Sequence, residues 1–496
     1  MALNELVYDV EDKPKFSKLL VFAFQQVLAV LAATIAVPTI IGLPADIPAA
    51  ILGGGLGTLV YLCFTKFKSP VIISSSFAFL GALGSAVAFG YMGIALGALF
   101  AGLVYVIIAI IIHFCGSEWV GKLMPPVIIG PTVALIGLSL AGSAMGDITK
   151  ASGASINSGY NLVGLLCGLV TFMTVVICSV QNRRKGLRLL PFITGIGVGY
   201  AVASIFSIFG YACNVDYLKI VNWEILVNNF KNPTINSFLS VPHMSLVEGI
   251  KELTTGQVSE QILAANPNAT PITWVGVAEV ALAFVPVAFV AYAEHIADHI
   301  NLGTIINRHL LREEPGMQRT LLGDGVGSIV GTFFGICPNT TYGESVGCVA
   351  ITKNASIRTI FVAAIMLVVL SFLTPITVLL RTIPSCVMGG VCLTLYGFIA
   401  VSGLKMFKNI DLNENKNLFT VSAILISGIG GLSLQIPYAL NNDGSVSKTI
   451  AITSIATALL LGILTHFICK AIEKHNLPEE KQPELEDRFA EEEKNN

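Results

Sequence analysis

The stretch Tyr91–Cys115 reads YMGIALGALFAGLVYVIIAIIIHFC and contains no Asp, Glu, Lys or Arg. A helix that crosses a membrane needs about 20 consecutive apolar residues, and this run supplies them. The same character extends over the 496-residue chain, in which 54% of residues are hydrophobic and 12% are charged. Soluble proteins carry about 25% charged residues. The composition therefore excludes an ordinary soluble enzyme and predicts an all-α polytopic membrane protein.

Apolar runs bounded by Gly, Pro and charged residues predict 14 transmembrane helices. These spans are 19-40, 46-64, 71-89, 91-115, 124-143, 160-181, 189-212, 277-304, 317-335, 340-352, 355-379, 384-404, 417-437 and 449-470. The polar interruption 213-272 is predicted to be an extracellular loop between seven spans and seven. With the N-terminus inside, fifteen Lys and Arg residues fall in inner short loops and three in outer ones. Because positive residues collect in cytoplasmic loops, we expect a multi-pass plasma-membrane protein with segment 1-18 and the acidic tail 473-496 in the cytoplasm.

Two pairs of motifs recur in the same order in the two halves. Met124–Gly130 (MPPVIIG) resembles Ile383–Gly389 (IPSCVMG), and the Ser-rich Ser74–Phe79 corresponds to Asn339–Glu344, each shortly after a proline. An odd number of spans per repeat makes the repeats inverted, and broken helices in matching positions point to a transporter site near the membrane midplane. We therefore predict two inverted seven-helix repeats with short extended strands in helices 3 and 10. The alternative is chance recurrence of Pro and Gly.

Five charged residues fall inside predicted spans, and all are acids: Glu279, Glu294, Asp298, Asp324 and Glu344. A carboxylate at the centre of a membrane costs about 2.5 to 3.5 kcal/mol, so it must face protein or water and indicates a functional site. Glu279 lies near the outer start of its span. Glu294 and Asp298 are four residues apart and share a helix face, an arrangement in which one acid readily holds a proton.

Other site chemistries are weaker interpretations. His295 and His299 form a second pair with the same spacing, which hydrogen bonding inside a helix bundle explains better than metal binding. The ten cysteines show no CxxC spacing and favour small core residues over disulfides or metal ligands. The net charge of −2 offers no basic footprint for nucleic acid. No nucleophile or cofactor motif supports an enzyme, so we expect no cofactor and no metal.

Half-helices that follow Ser74–Ser76 and Thr340–Thr341 would expose free N–H groups at their first turns. Gly343 would allow the main chain to approach a ligand closely. Together with two carboxylates and one aromatic ring, these groups suit a planar imide such as a pyrimidine base.

At these residues the chain resembles the nucleobase/ascorbate transporter (nucleobase:cation symporter-2) family, and most closely its bacterial uracil permease branch. The family signature corresponds to Glu344–Lys353 (ESVGCVAITK), and it is preceded by Asn339–Gly343 (NTTYG). Other matching stretches are Gln25-Gln26, Pro38, Ser75–Phe79, Pro125-Pro126, Ala293–His295, Pro315-Gly316, Met388–Gly390 and Tyr396.

The resemblance implies how the fold works. A core domain, 19-115 with 273-379, would move against a gate domain, 124-212 with 384-470, and hold the substrate at their interface. Family members also form dimers through the gate domain, which implies a homodimer here. The substrate would be uracil or a related nucleobase, carried across the bilayer together with protons.

The resemblance also implies roles for individual residues. Phe77 would stack on the base, Glu294 and Glu344 would accept its N–H groups, and the main chain at Phe77 and Gly343 would donate to a carbonyl. Tyr342 would belong to the surrounding shell, and Tyr396 would contribute from the gate side.

Two positions depart from the family pattern. Ser345 replaces the Asn of the signature, which shortens one hydrogen-bonding arm. Asp298 stands where the uracil branch has a proton-handling His, and His299 is one residue further on. Proton coupling is therefore expected from Glu294 and Asp298, with His299 as the neighbouring candidate. Asp324, between two glycines, resembles a polar helper of the family or is purely structural.

The sequence thus predicts proton-coupled uptake of uracil. Glu344 at the first signature position favours uracil, since purine carriers typically have Gln there. An Asp at the position of Asp298 is, by contrast, also found in purine-carrying relatives. A xanthine or purine permease of the same family is one alternative. An anion exchanger or channel on a related 14-span fold is another, although it would call for basic residues at the midplane.

Overall fold

The computed structural model of the chain describes residues 6–149, 160–181, 190–440 and 446–475. The basic loop at 182–189, which contributed to the predicted orientation, and residues 476–496 of the acidic tail lie outside the described residues. Within the described ranges, nine helices are long and apolar enough to cross a membrane. The chain is therefore a predominantly helical, multi-pass membrane protein.

The first half of the chain, up to the polar interruption, consists of nine helices and one short strand in the described ranges. They are α1 (Phe16–Ile40), α2 (Ile47–Phe64), β1 (Ile73–Ser75), α3 (Leu80–Val87), α4 (Gly90–Cys115), α5 (Glu118–Leu123), α6 (Pro126–Ser139), α7 (Ala141–Thr149), α8 (Leu162–Val180) and α9 (Pro191–Cys213). A single turn of 3-10 helix, Phe77–Phe79, leads into α3.

The rest of the chain begins with the short helices α10 (Glu224–Lys231), α11 (Ser245–Thr255) and α12 (Glu260–Ala265) of the polar interruption. It continues with α13 (Trp274–Ile306), α14 (Met317–Phe334), β2 (Asn339–Thr341), α15 (Gly343–Thr352), α16 (Ile357–Phe372), α17 (Thr374–Arg381), α18 (Ser385–Lys405), α19 (Asn415–Ile429), β3 (Leu434–Leu440), β4 (Val446–Ile452) and α20 (Ser454–His475). Each of the 14 predicted spans overlaps at least one of these helices.

The two helices predicted to be broken begin with extended segments that pair with each other. Strands β1 and β2 are antiparallel, with Ser74 opposite Thr340, and all six of their residues are buried. The Ser76 N–H donates to the Pro338 carbonyl at 2.8 Å, and the Tyr342 N–H donates to the Ile72 carbonyl at 3.1 Å. Each strand therefore satisfies the backbone groups that the other would leave open inside the membrane.

The helices pack in two groups. Helices α1, α2, α4, α14 and α16 contact one another around the strand pair. Helices α3 and α13 pack on α4, and α15 packs on α1, so they belong to the same first group, whereas α6, α8, α9 and α18–α20 form the second group. In the first group α2 and α14 cross at glycines: a Cβ on Gly53 would lie 2.3 Å from the Gly331 carbonyl oxygen. In the second group a Cβ on Gly403 would lie 2.4 Å from the Gly130 carbonyl oxygen. Side chains at these positions would force the backbones apart, so glycine sets the packing distance in both groups.

One stretch differs from the predicted helical spans. Residues 434-437 and 449-452, placed at the ends of two predicted helices, belong to an antiparallel hairpin of β3 and β4, with Leu434 opposite Ile452. An apolar run of four to eight residues does not distinguish strand from helix by periodicity alone. The intervening sequence, Asn441–Gly444, has the composition of a turn and is the signal that favours a hairpin.

The polar interruption packs against both helix groups. The Ser207 hydroxyl of α9 accepts from the Ile220 and Val221 N–H groups at 3.0 and 2.8 Å. On the first group, His243 Nδ1 lies 2.9 Å from Asp46 Oδ1, at the turn before α2. This hydrogen bond to Asp46 raises the pKa of His243 above its usual value. The segment is therefore a folded connection between the two groups.

Candidate binding site between the two helix groups

A cavity of about 390 Å³ lies where the two groups meet. The first group lines it with the start of α3, the middle of α13 and the start of α15, and the second group lines it with α6 and α18. Its walls include Phe77, Val133, Glu294, Asp298, Thr340, Tyr342, Gly343, Glu344, Phe398 and Lys405. The cavity is thus bordered by the two broken segments, where the backbone leaves regular helix.

Three acids converge on this cavity. Glu294 and Asp298 lie one turn apart on α13, and Glu344 lies in the first turn of α15. All three are buried, with 9%, 6% and 8% of their surface exposed. Glu294 Oε2 and Glu344 Oε1 have no hydrogen-bond partner among the described residues. A buried carboxyl oxygen without a partner is costly, so both atoms are available acceptors for a ligand.

Asp298 differs from the other two acids because it has a donor within the protein. The Thr341 hydroxyl, at the end of β2, donates to Asp298 Oδ2 at 3.0 Å. The other oxygen, Oδ1, lies 3.6 Å from where a Cβ on Gly343 would be. Asp298 therefore sits against the first turn of α15, whose N–H groups favour negative charge.

Of the predicted aromatic residues, Phe77 and Tyr342 line the cavity, and Tyr396 contacts the Phe77 ring. The Phe77 ring, in the first group, meets the Tyr396 ring of α18 at 5.2 Å between centroids and an angle of 89°. This perpendicular contact leaves at least one face of Phe77 uncovered by Tyr396. The Tyr342 hydroxyl donates to the Ser75 carbonyl at 2.6 Å and so joins α15 to β1. Tyr342 thereby positions Gly343, which has no side chain to block the main chain.

Five of the predicted residues do not line the cavity, and one of them is Tyr396. Asp324 pairs with His295, whose Nδ1 lies 2.7 Å from Asp324 Oδ2, and both side chains are fully buried. His299 Nδ1 donates to the His295 carbonyl, and its Nε2 lies 2.7 Å from the Tyr61 hydroxyl. The half-buried Glu279 lies near the start of α13.

Ser345, the fifth, links three segments outside the cavity lining. Its hydroxyl accepts from the Ile72 N–H at 3.1 Å and donates to Gln26 Oε1 at 3.0 Å. Gln26 of α1 also donates to the Ser345 carbonyl at 3.4 Å. The long side chain of Gln26 thus reaches the short side chain of Ser345, which replaces the Asn of the signature.

Several cavity residues were not identified from the sequence. Asn301, Ser402 and Lys405 line the cavity from the C-terminal parts of α13 and α18, and Asn301 Nδ2 donates to Ser402 Oγ at 3.3 Å across the two groups. Their signal was weak, since polar residues near helix ends are common at membrane surfaces. Across the described ranges, no cluster of three or more His, Cys, Asp or Glu is arranged to hold a metal ion.

A mostly apolar cavity with three acids in its wall, placed between two groups of membrane-spanning helices and bordered by paired helix breaks, is the architecture of a membrane transporter. Sequence comparison identifies the particular kind. Residues 17–436 match the profile of the Permease family of xanthine and uracil permeases, and the chain belongs to this family.

Related proteins agree with this assignment. Over 94% of its length, the chain is 33% identical to a uracil permease of Bacillus caldolyticus, covering 95% of that protein, and 31% identical to one of Bacillus subtilis, covering 96%. A uracil permease of Escherichia coli K12 is 30% identical over 93% of this chain and 94% of its own length.

Solved structures show the same fold in more distant transporters. The transmembrane domain of the cyanobacterial bicarbonate transporter BicA aligns with a TM-score of 0.51 and 14% identity, over 92% of this chain and all of that domain. The murine Solute Carrier 26 family member A9 anion transporter, in its inward-facing state, aligns with a TM-score of 0.59 and 9% identity, over 94% of this chain and 70% of its own. At these identities the likeness concerns the fold alone.

Proposed function

We propose that this protein is a uracil permease that carries uracil and protons together into the cell. The observation that carries the proposal is the pair of buried acceptors, Glu294 Oε2 and Glu344 Oε1, on either side of a cavity that also contains Phe77 and Gly343. Uracil has two N–H groups and two carbonyls on one flat ring. The acids would accept the N–H groups, the main chain at Phe77 and Gly343 would donate to a carbonyl, and Phe77 would stack on the ring.

The names of the related proteins support the choice of substrate, because uracil permeases match nearly the whole chain at 30 to 33% identity. Glu344 at the first signature position points the same way. The anion transporters of similar fold provide a contrast. The acids of this cavity would repel an anion, and Lys405 is a cation at its far end.

Coupling to protons is the second part of the proposal. Two acids one turn apart in a buried cavity cannot both carry full charge at low cost, so one proton shared by Glu294 and Asp298 would favour binding of neutral uracil. His299, committed to Tyr61 and the His295 carbonyl, would act through the packing of α13. Loss of the proton on the cytoplasmic side would then weaken binding and release the substrate.

Movement would follow from the two helix groups. We assign 19-115 and 273-379 to a core domain and 124-212 and 384-470 to a gate domain, related by inverted seven-helix repeats in a 14-helix fold with cytoplasmic termini and gate-to-gate dimers. The cavity extends to Thr304 and Lys405, near the ends of α13 and α18 that this orientation places toward the cytoplasm. It therefore corresponds to the inward-facing arrangement.

Uptake of radiolabelled uracil into cells that express the protein tests both parts. We expect saturable uptake that excess unlabelled uracil abolishes, that xanthine inhibits weakly, and that falls when the proton gradient is collapsed. Strong inhibition by xanthine with none by uracil would instead identify a purine permease. Uptake that is indifferent to the gradient would rule out proton coupling.

A further inference from the structure

The two acids of α13 have unequal surroundings. Asp298 Oδ2 accepts the Thr341 hydroxyl at 3.0 Å, whereas Glu294 Oε2 has no hydrogen-bond partner in the described part of the chain. Thr341 is fully buried, and β2 fixes its backbone through pairing with Ile73 of β1. Its hydroxyl is therefore held at one place by the strand pair.

The hydrogen bond from the Thr341 hydroxyl makes Asp298 and Glu294 unequal in their tendency to ionise. A hydroxyl donates to a carboxylate more strongly than to a neutral carboxyl group. The first turn of α15, next to Asp298 Oδ1, also favours negative charge at this position. The hydroxyl and the nearby helix start both stabilise the ionised form of Asp298, whereas Glu294 Oε2 accepts no hydrogen bond from the described residues.

Other titratable and charged groups lie on the elements packed around Asp298 or line the same cavity. They are Glu294, His295 and His299 on its own helix, Tyr61 on α2, Asp324 on α14, Glu344 on α15 and Lys405 on α18. His295 and Asp324 are occupied with each other, and His299 with Tyr61. The negative groups among them oppose a second charge on the pair, so when Asp298 is ionised the proton belongs on Glu294.

We propose that Thr341 is a positioning residue that keeps Asp298 ionised and thereby places the transported proton on Glu294. This inference rests on the proposed proton-coupled function and adds the residue that sets the location of the proton. Strand β2 would then do more than pair its backbone with β1, because it also positions the Thr341 hydroxyl next to Asp298 of α13.

The test compares variants that keep or remove the donor. Thr341→Val keeps the shape of the side chain and removes the hydroxyl. Thr341→Ala removes both the hydroxyl and the γ-methyl group. Thr341→Ser retains the donor. Thr420→Val is the matched control, since Thr420 is equally buried, lies on α19 and donates to the Lys416 carbonyl at 2.7 Å.

The measurement is the affinity of the purified protein for uracil from about pH 5 to about pH 8, with size-exclusion profiles as the check of folding. Without the donor, Asp298 competes with Glu294 for the proton, so the acid pair binds a proton more readily. We expect the midpoint of the pH profile to move upward in Thr341→Val and Thr341→Ala, by at most about one pH unit, because the shift is only the gain that comes from the second site. Thr341→Ser and Thr420→Val should keep the midpoint of the unmodified protein.

Three results would overturn the assignment. Profiles of Thr341→Val and Thr341→Ala that superimpose on the original would show that the hydroxyl does not influence the proton. An equal shift in Thr341→Ser would attribute the effect to packing. An unmodified protein whose uracil affinity does not vary with pH would reject the proton coupling of the proposed function, and the role of Thr341 with it.

Discussion

Replacing Glu344 by Gln tests the site most directly. Glu344 Oε1 is buried and has no partner within the described ranges, so in the proposed complex it accepts an N–H of uracil as a charged acceptor. Hydrogen bonds to charged groups contribute about 1.5 to 3 kcal/mol, and about 1.4 kcal/mol corresponds to a factor of ten in affinity. Gln keeps the size and one acceptor oxygen but loses the charge. We therefore expect uracil to bind roughly 10-fold to 100-fold more weakly. We also expect xanthine to inhibit any remaining uracil uptake more strongly than it does in the unmodified protein.

The assay is equilibrium binding of radiolabelled uracil to purified protein, followed by uptake competition with xanthine. Glu314→Gln is the matched control, because Glu314 is half-exposed and pairs with Lys66 and Lys68 far from the cavity. Its affinity should match that of the unmodified protein. Unchanged uracil affinity in Glu344→Gln, with a normal size-exclusion profile, would refute the placement of Glu344 against the substrate.

Three further predictions concern stacking, packing and the polar interruption. Phe77→Ala should weaken uracil binding by roughly 5-fold to 100-fold, since stacking of a base on an aromatic ring contributes about 1 to 3 kcal/mol, and binding titrations measure it. Gly331→Val should lower the yield of folded protein, because its Cβ would lie 2.7 Å from the Gly53 carbonyl oxygen, whereas Gly397→Ala, with open space around it, should not; size-exclusion profiles compare them. His243→Gln should lower thermal stability, by about 1 kcal/mol or less, below about pH 6.5, where His243 is charged in both folded and unfolded protein. Because Asp46 raises the pKa of His243 in the fold, this difference should vanish as the pH rises through that raised pKa, which melting curves at several pH values would detect.

Local sequence accounts for much of the architecture around the site. The Ser- and Thr-rich stretches before Phe77 and Gly343 interrupt apolar runs and follow prolines, and they form the paired strands. The spacing of four residues between Glu294 and Asp298 places both on one face of α13, and both line the cavity. Residue spacing and local composition are sufficient to predict these features, because each depends on neighbours within a few residues along the chain.

Contacts between distant segments could not be predicted in the same way. Gln26 and Ser345 are 319 positions apart, and nothing local to either residue indicates that they hydrogen-bond. The same holds for Thr341, whose hydroxyl could equally have satisfied the backbone of its own broken segment. Its donation to Asp298 follows from the register of the β1–β2 pair, which is a property of the packed fold.

Acids inside the membrane look alike in the sequence, and the fold separates them by whether they reach the cavity. Asp324 is as deeply placed as Glu294, yet it lies outside the cavity lining, where its Oδ2 is hydrogen-bonded to His295 and its Oδ1 has no partner among the described residues. Glu294 and Glu344 line the cavity, and each also has a buried oxygen without a partner in the described part of the chain. Such an oxygen is costly, and only one in the cavity wall is open to a donor from a ligand. A bound base and a proton are donors of that kind, so an unpaired acid that also lines the cavity, rather than an unpaired acid in general, marks the proposed transport site.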